Sequence, residues 1–329
     1  MFEIEFSQQT TKVKQLATAI QDSISIGEYP EGSSLPSIND LSKQCRVARD
    51  TVFKAFQFLK ETGIIESTPT KGYYVASSIT HILVLFDIFS TYKNDMYHAL
   101  TDKLPANYKV DLYFHHYNRT IFDSIIKNSA GKYNLYLIMN FSNDVYSQVL
   151  DELDSNRVLL LDFGKFDKEK YAYICQGFDH MLYDCLLSGI ELFKKYQRIS
   201  IVFPLSSEHP RSCIPYVEKF CKDYSFEYNL ISDEKIDEQD IREQTAYLIV
   251  RHSDLIEFTK ICRKKGLLMG KDVGVVTFND APMLEIIENG ITSISTDFQQ
   301  MGRLASDFIT TKQKIQTYIP TQLIVRGSL

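Results

Sequence analysis

Apolar residues recur at helical spacing through the first sixty positions of the chain. Residues 8–26 place them three or four positions apart, which predicts a first amphipathic helix. Two shorter runs of the same period follow, one opening at Pro36 and one covering 47–59, and they predict two helices joined by a turn. After Gly63, which ends the last helix, a hairpin is predicted from two β-rich runs, at 64–66 and 72–75.

Beyond residue 80 the pattern changes to uninterrupted apolar runs that alternate with stretches of helical period. Such runs predict strands of parallel sheets covered on both faces by helices. They lie at 81–86, 135–139, 158–161, 199–203, 246–250 and 273–277. The change follows the small-residue linker Ala76-Ser77-Ser78, so we predict one domain over 1–76 and an α/β domain over 77–329.

Three helices followed by a hairpin predict a winged helix-turn-helix. The segment 35–75 resembles, without a gap, the DNA-binding domain of the GntR family of bacterial regulators. The motifs that carry the resemblance are Leu35-Pro36-Ser37, Val47-Ala48-Arg49-Asp50-Thr51-Val52, Gly63-Ile64 and Gly72-Tyr73-Tyr74-Val75. The resemblance implies contact with double-stranded operator DNA, in which Arg49 reads a base, Thr51 contacts phosphate, and Lys71 and Gly72 approach the minor groove.

The predicted DNA-binding residues are Ser37, Arg46, Arg49, Asp50, Thr51, Lys54, Lys71 and Gly72. Residues 42–72 hold six basic side chains against three acidic ones, although residues 1–77 as a whole carry a net charge of minus one. Asn39, Ala48 and Phe53 replace residues that would contact phosphate in the family, which predicts a modest salt dependence of DNA binding. A winged helix used only for protein contacts is the alternative.

The end of the chain resembles the effector domain of lactose-repressor-type regulators, which have the periplasmic-binding-protein fold. The resemblance rests on residues 270–309, GKDVGVVTFNDAPMLEIIENGITSISTDFQQMGRLASDFI, and on 319–329, IPTQLIVRGSL. It extends loosely back to residue 80 and implies two parallel-sheet α/β lobes that close on a small molecule. Together with the winged helix, the combination resembles the arabinose-repressor subgroup and implies a sugar or sugar derivative as effector.

The predicted effector-binding residues are Asp87, Tyr92, Lys93, Asp179, Arg211, Arg251, Asn279 and Asp280. Asn279 matches the ligand-binding aspartate of the family, and Arg251 and His252 stand where relatives usually have Asn-Asp. An arginine facing the cleft would suit a carboxylate or phosphate, because its guanidinium makes paired hydrogen bonds to such groups. Alternatively, Asn279 and Asp280 form a turn, the two arginines form structural ion pairs, and Tyr92 belongs to the core.

Composition agrees with a cytoplasmic protein. Of 329 residues 44% are hydrophobic and 24% charged, the net charge is −6, and no apolar run is long enough to span a membrane. The amino terminus lacks a signal sequence, and six cysteines without metal-ligand spacing predict reduced thiols. Hydrolase, nucleotide-binding and metalloprotease motifs are absent, so we predict no enzyme activity, cofactor or metal.

The predicted function is therefore a sequence-specific transcriptional regulator, expected to be a repressor, that binds DNA as a homodimer. Dimerisation is expected because one recognition helix covers only half of a near-palindromic site. A solute-binding or sensory module whose winged helix contacts proteins is the alternative.

Overall fold

The computed structural model describes residues 10–68, 72–76, 79–142, 145–162, 164 and 167–329. The amino-terminal part is a winged helix-turn-helix. It consists of α1 (Lys12–Ser25), α2 (Ile38–Gln44), α3 (Arg49–Glu61), β1 (Ile65–Thr68) and β2 (Gly72–Val75). The two strands are antiparallel, with Ile65 opposite Val75. Leu16, Leu41 and Phe56 are fully buried where the three helices meet, so the predicted periodicity forms one small core.

The two helices of the helix-turn-helix begin differently. The Ser37 hydroxyl accepts a hydrogen bond from the Asp40 backbone N–H and donates one of 2.6 Å to the Asp40 carboxylate, which caps α2. Ala48 precedes α3 and has no side chain that can cap it. Arg46, in the turn between them, adopts a left-handed backbone conformation with φ of +50°.

The rest of the chain forms two α/β lobes, each around a six-stranded sheet. The first lobe, here called lobe 1, contains β3 (Thr80–Phe86), α4 (Thr91–Thr101), β4 (Tyr108–Phe114), α5 (Arg119–Ser129), β5 (Leu135–Met139), β6 (Val158–Leu161) and β7 (Ala172–Gln176). The second, lobe 2, contains α6 (His180–Ser188), α7 (Ile190–Phe193), β8 (Arg198–Val202), α8 (Cys213–Asp223), β9 (Glu227–Ile231), β10 (Thr245–Ile249), α9 (His252–Lys265), β11 (Val273–Phe278) and β12 (Thr292–Thr296). The predicted α/β fold class is confirmed.

The chain crosses between the lobes three times. After β12 it returns to lobe 1 as α10 (Phe298–Thr311) and β13 (Gln316–Ile319), and it ends in lobe 2 with β14 (Thr321–Ile324). The strand orders are β13-β7-β6-β5-β3-β4 in lobe 1 and β14-β12-β11-β10-β8-β9 in lobe 2. Only β14 runs antiparallel to its neighbour among the described strands of the two lobes. The carboxyl ends of the parallel strands therefore face one another across the gap between the lobes.

The six predicted strands are present, and the apolar-run criterion missed the others for physical reasons. In the edge strands β4 and β9 nearly every residue is partly or fully exposed, because part of each strand faces solvent. The strand β12 is fully buried, yet four of its five residues are Thr or Ser. Three of the four hydroxyl groups there donate hydrogen bonds, such as that from Ser293 to Asp280, so the strand needs no apolar run.

Gly302 allows α10 to pack directly on α4. A Cβ atom at this position would overlap the Met96 carbonyl oxygen and lie 2.9 Å from the Ala99 Cβ. We therefore expect Gly302→Ala to lower the free energy of unfolding by about 1 to 2 kcal/mol, since the two helices must move apart. Urea denaturation measures the change. Gln299→Ala, on the exposed side of α10, is the control, and an equal effect of both substitutions would contradict the close packing.

The winged helix contacts lobe 1 at the end of its sheet opposite the gap. Arg157, which precedes β6, forms an ion pair with Asp22 of α1, and its side chain is only 13% exposed. This contact lies at the amino end of the strand. The ion pair therefore joins lobe 1 to the helix that supports the helix-turn-helix.

Candidate effector cleft and DNA-contacting surface

The predicted DNA-contacting residues mostly surround the amino-terminal half of α3. Arg46, Arg49, Asp50 and Lys54 are exposed, whereas Thr51 is half-buried. Lys54 and Asp50 form an ion pair of 2.7 Å one helical turn apart. Arg49 forms no hydrogen bond or ion pair with any described residue, so its guanidinium is available to an external partner.

The other predicted contacts are more dispersed. The Ser37 hydroxyl is engaged in capping α2, and Gly72 is exposed at the start of β2 with φ of +71°. Lys71 lies outside the described residues. Phe53 is 43% exposed one turn after Arg49, which places an apolar ring on the outer face of α3.

A cavity of about 410 Å³ lies between the lobes at the carboxyl ends of both sheets. Lobe 1 contributes residues that follow β3 to β7, and lobe 2 contributes residues that follow β8, β10 and β11. Such a crevice is where open parallel sheets bind ligands. Five predicted residues line it, namely Asp87, Tyr92, Lys93, Arg251 and Asn279.

A buried ion pair forms the lobe 1 side of the cleft. Lys93 and Asp87 are 3% and 8% exposed, and the Lys93 ammonium group contacts the Asp87 carboxylate. The Tyr117 hydroxyl forms a hydrogen bond with the Asp87 carboxylate, and burial together with the Asp87 charge raises the pKa of Tyr117. The Tyr92 ring packs on Phe298 with centroids 4.6 Å apart, so it presents an aromatic face beside the pair.

Asp162 is a second carboxylate of the cleft that the sequence analysis missed. It follows β6 in a left-handed conformation and accepts a hydrogen bond of 2.7 Å from the Gln176 side-chain amide. Burial raises the pKa of Asp162 to about 6, against the opposing influence of the Lys93 charge. An acidic residue directly after an apolar run was the available signal, since the same pattern identified Asp87.

His115 lies behind the cleft and forms hydrogen bonds with two residues that line it, Tyr117 and Met139. Its Nδ1 accepts a hydrogen bond of 3.2 Å from the Tyr117 backbone N–H, so Nε2 carries the proton and donates to the Met139 carbonyl at 3.2 Å. Burial lowers the pKa of His115 from 6.5 to about 4. A second proton on the ring would break the bond to Tyr117, which keeps the imidazole neutral.

The pH dependence of stability follows from this buried imidazole. In the unfolded chain His115 becomes protonated below about pH 6.5, whereas in the folded chain it becomes protonated only near pH 4. The free energy of unfolding therefore falls as the pH falls through that window. Between pH 6 and 5 we expect the wild type to lose about 1 kcal/mol more than His115→Gln. Urea denaturation at both pH values tests this, with the exposed His98→Gln as control. Parallel pH profiles for wild type and His115→Gln would contradict it.

Arg251 lines the lobe 2 side of the cleft, but its hydrogen-bond donors are already used. Its Nε and Nη2 donate to the Asp254 carboxylate at 2.7 and 2.9 Å. Nη2 also donates to the Glu234 carbonyl, and Nη1 donates to Ser206 and to the Glu234 carboxylate. The guanidinium is thus held in a structural ion-pair network, which was the alternative interpretation of this residue.

Aromatic rings surround His209 deeper in lobe 2, and sequence reasoning did not single it out. Its ring lies 4.4 Å from that of Phe278 and 4.8 Å from that of Phe178. Its buried Nε2 has no hydrogen-bond partner among the described residues, and burial lowers the pKa of His209 to about 3. The cleft wall therefore contains a neutral ring nitrogen that has no hydrogen-bond partner among the described residues.

Asn279 ends β11 and lies in the cleft, whereas the neighbouring Asp280 does not line it. Asn279 has φ of +62°, and its backbone N–H donates to the Ile294 carbonyl at 2.8 Å. Asp280 instead binds Arg326 through two hydrogen bonds of 2.7 and 3.0 Å. Burial opposes ionisation of Asp280, but the hydrogen bonds from Arg326 and Ser293 outweigh it and lower the pKa of that carboxyl.

The structure does not bring two further predicted residues into the cleft. Arg211 donates to the Leu205 carbonyl at 2.9 Å, and its guanidinium lies 5.5 Å from the centre of the Phe203 ring. Asp179 lies at the crossover before α6, with its carboxylate 2.9 Å from the His180 Nδ1. Both are therefore engaged with residues of lobe 2 beside the cavity.

Comparison with known proteins supports both halves of this architecture. Residues 12–75 match the family described as bacterial regulatory proteins, gntR family, and residues 210–329 match the periplasmic binding protein-like domain. Residues matching the HTH-type transcriptional regulator YcxD of Bacillus subtilis are 39% identical over 64 positions, which is 20% of this chain and 14% of YcxD. YjiR of Escherichia coli, named in the same way, is 38% identical over 66 positions, again 20% of this chain and 14% of the relative. The chain therefore spans only a small part of the length of these relatives.

Solved structures match three quarters or more of the chain. The trehalose repressor from Escherichia coli has a TM-score of 0.61 at 12% identity over 75% of this chain and 100% of its own. A LacI family transcriptional regulator from Lactobacillus casei with bound sucrose gives 0.62 at 12% identity over 76% and 100%. The regulator CelR in complex with cellobiose gives 0.59 at 16% identity over 90% and 100%. The chain thus has a gntR-type helix-turn-helix joined to a periplasmic-binding-protein-like domain, and the resemblance found in the sequence is confirmed.

Other features of the described residues add no further site to the cleft and the surface of α3. No described helix is long and apolar enough to cross a bilayer, and the described side chains form no cluster suited to a metal ion. All six cysteines are described, buried and outside any disulfide. The cleft and the surface of α3 are therefore the two candidate sites.

Proposed function

We propose that this chain, a gntR-type winged helix joined to a periplasmic-binding-protein-like domain, is a transcriptional repressor whose operator affinity is controlled by a sugar or sugar derivative bound between the lobes. The observation that carries the proposal is the cleft at the carboxyl ends of two parallel sheets, in the same chain as an exposed recognition helix. As a regulator of chromosomal genes it would act in the cytoplasm.

The DNA-binding role rests on α3. Its amino-terminal half presents Arg49, which has no partner among the described residues, and a recognition helix contacts base edges with that part. Two heads are needed to cover a near-palindromic operator, so we propose a homodimer. Selection of DNA from a randomised library with the full chain tests this role. Enrichment of an inverted repeat supports it, whereas no enrichment would favour a winged helix that contacts proteins.

The effector role rests on the chemistry of the cleft. Polar side chains such as Asp162, Gln176 and Asn279 face the cavity together with the rings of Phe178 and Phe278. Sugars bind to this combination, because their hydroxyl groups need hydrogen-bond partners while their C–H faces pack on aromatic rings. Sucrose and cellobiose bound to proteins of the same fold agree with this proposal.

The positions of the two sites support a coupling between them. The effector would bind at the carboxyl ends of the lobe 1 strands, whereas Arg157 contacts the winged helix near their amino ends. Closure of the lobes would rotate lobe 1 with its attached head. The distance between the two heads of a dimer would change, and operator affinity would change with it.

Asn279→Ala tests the effector site. The substitution removes an amide from the cleft, so we expect effector affinity to fall at least about tenfold while effector-free DNA binding is retained. Isothermal titration calorimetry with the sugar identified by a thermal-shift screen of the full chain measures the change. Asn229→Ala, on the exposed edge strand β9, is the control. An unchanged titration for Asn279→Ala would remove this residue from the site.

A further inference from the structure

We infer that the cleft binds an uncharged or amine-bearing polyhydroxylated effector and rejects anionic relatives such as sugar phosphates and sugar acids. The inference rests on the proposed effector role of the cleft and specifies the charge of the ligand. It follows from which charged groups line the cavity and from how each of them is already paired.

The described lining contains two basic side chains other than histidine, Lys93 and Arg251, and neither is available to an anion. Lys93 is 3% exposed and contacts the buried Asp87 carboxylate. Every N–H of Arg251 has a partner, because Asp254, Glu234 and Ser206 together accept five hydrogen bonds of 2.7 to 3.4 Å from it. The arginine that suggested an anionic ligand in the sequence is thus neutralised by its own neighbours.

Carboxylates outnumber these cations. Asp87, Asp162 and Glu208 line the cavity, and Asp254 and Glu234 lie directly behind Arg251. Burial raises the pKa of Asp162 to about 6, so this group is still mostly ionised at pH 7.5. An incoming phosphate or carboxylate therefore enters a cavity of net negative charge, in which like charges repel strongly because little water screens them.

An anion could gain a donor only by separating Lys93 from Asp87. The Asp87 carboxylate would then remain buried without its cation, which is among the most unfavourable changes in a protein interior. We therefore expect an anionic derivative to bind at least about 100-fold more weakly than its neutral parent.

A neutral polyol meets the opposite situation. Its hydroxyl groups can donate to the Asp162 carboxylate, which forms charge-assisted hydrogen bonds. The unpartnered Nε2 of His209 and the buried Ser90 hydroxyl, which also has no described partner, offer two further positions. An amino group on the ligand would be attracted by the same carboxylates, so an amino sugar should bind within about tenfold of its parent or more tightly.

The test is a matched panel of probes with the full chain at pH 7.5. The parents are glucose, galactose, mannose, ribose, sucrose, trehalose and cellobiose, and each binding parent is compared with its phosphate, its uronate and its 2-amino derivative by isothermal titration calorimetry. The inference expects a neutral or amino sugar to bind and both anionic forms to be at least about 100-fold weaker. An anionic form that binds as tightly as its parent overturns the inference but leaves the regulator role intact. If no probe of any charge binds, the proposed sugar effector fails and the inference fails with it.

Asp162→Asn tests the electrostatic cause. It removes one negative charge while keeping the shape of the side chain. The ratio between the affinities for a neutral sugar and for its anionic derivative should therefore fall by about tenfold. Asp184→Asn, which removes the same charge from the exposed face of α6, should leave this affinity ratio unchanged. Equal affinity ratios in the wild type and Asp162→Asn would overturn the electrostatic explanation. Circular dichroism tests whether the variant is folded.

Discussion

Lys93→Met is expected to lower the free energy of unfolding of the α/β domain by about 3 to 5 kcal/mol. The substitution keeps the length and the apolar part of the side chain but removes the cation that Asp87 contacts in a nearly inaccessible position. Asp162, the second carboxylate near the pair, would lose the same compensating charge. Denaturation by urea, followed by circular dichroism, measures the loss.

Two variants define what this loss means. The double variant with Asp87→Asn and Lys93→Met removes both charges, so it should recover much of the stability, because no buried ion is left without a partner. Lys219→Met breaks an exposed pair with Asp223 and should change stability little. If Lys93→Met is as mild as Lys219→Met, the pair is not the buried element described here.

Arg49→Ala is expected to weaken operator binding by about 1 to 3 kcal/mol and to relax the choice of base at one position of each half-site. The Arg49 side chain has no described partner within the chain, so its removal should leave folding unaffected. The loss would therefore report on contact with DNA alone. Fluorescence anisotropy with the selected operator and with a scrambled duplex measures both affinities.

The matched control is Lys60→Ala, on the same helix. Lys60 lies in the last turn of α3 and donates to the Ser67 hydroxyl at 2.9 Å, so it should not contribute to base recognition. Equal losses on operator and scrambled DNA for Arg49→Ala would contradict base recognition. On the sequence alone, Lys71→Ala should lower the affinity for operator and scrambled DNA alike and reduce the salt dependence of DNA binding.

The fold was largely predictable because its central strands are uninterrupted apolar runs. The strand β3 illustrates this, since all its residues from 82 to 86 are buried between two neighbouring strands. An edge strand such as β4 carries partly exposed residues, and β12 buries hydroxyl groups, of which that of Ser293 donates to Asp280 and that of Thr292 to the Arg326 carbonyl. Both types of strand depend on neighbours that are remote in sequence, so local apolar content could not reveal them.

The cleft was predictable where a polar residue follows an apolar run, as Asp87 and Asn279 do. Which of Asn279 and Asp280 faces the cavity depends on the left-handed turn at Asn279 and on Arg326, which lies 46 residues beyond Asp280. The partners of Arg251 show the same limit. Asp254 is three residues away, but Glu234 reaches it from a different loop. Residue identity therefore located the cleft, whereas pairing across the fold determined its charge.

The central claim is that ligand binding in the cleft controls DNA binding, and one measurement tests it most directly. The affinity of the full chain for its selected operator is measured by fluorescence anisotropy with and without a saturating neutral or amino sugar from the panel. The account predicts a change in operator affinity of about 5-fold or more for the wild type, whereas Asn279→Ala should need at least about tenfold more sugar to reach the same change. An operator affinity that is the same with and without saturating ligand in the wild type would contradict it.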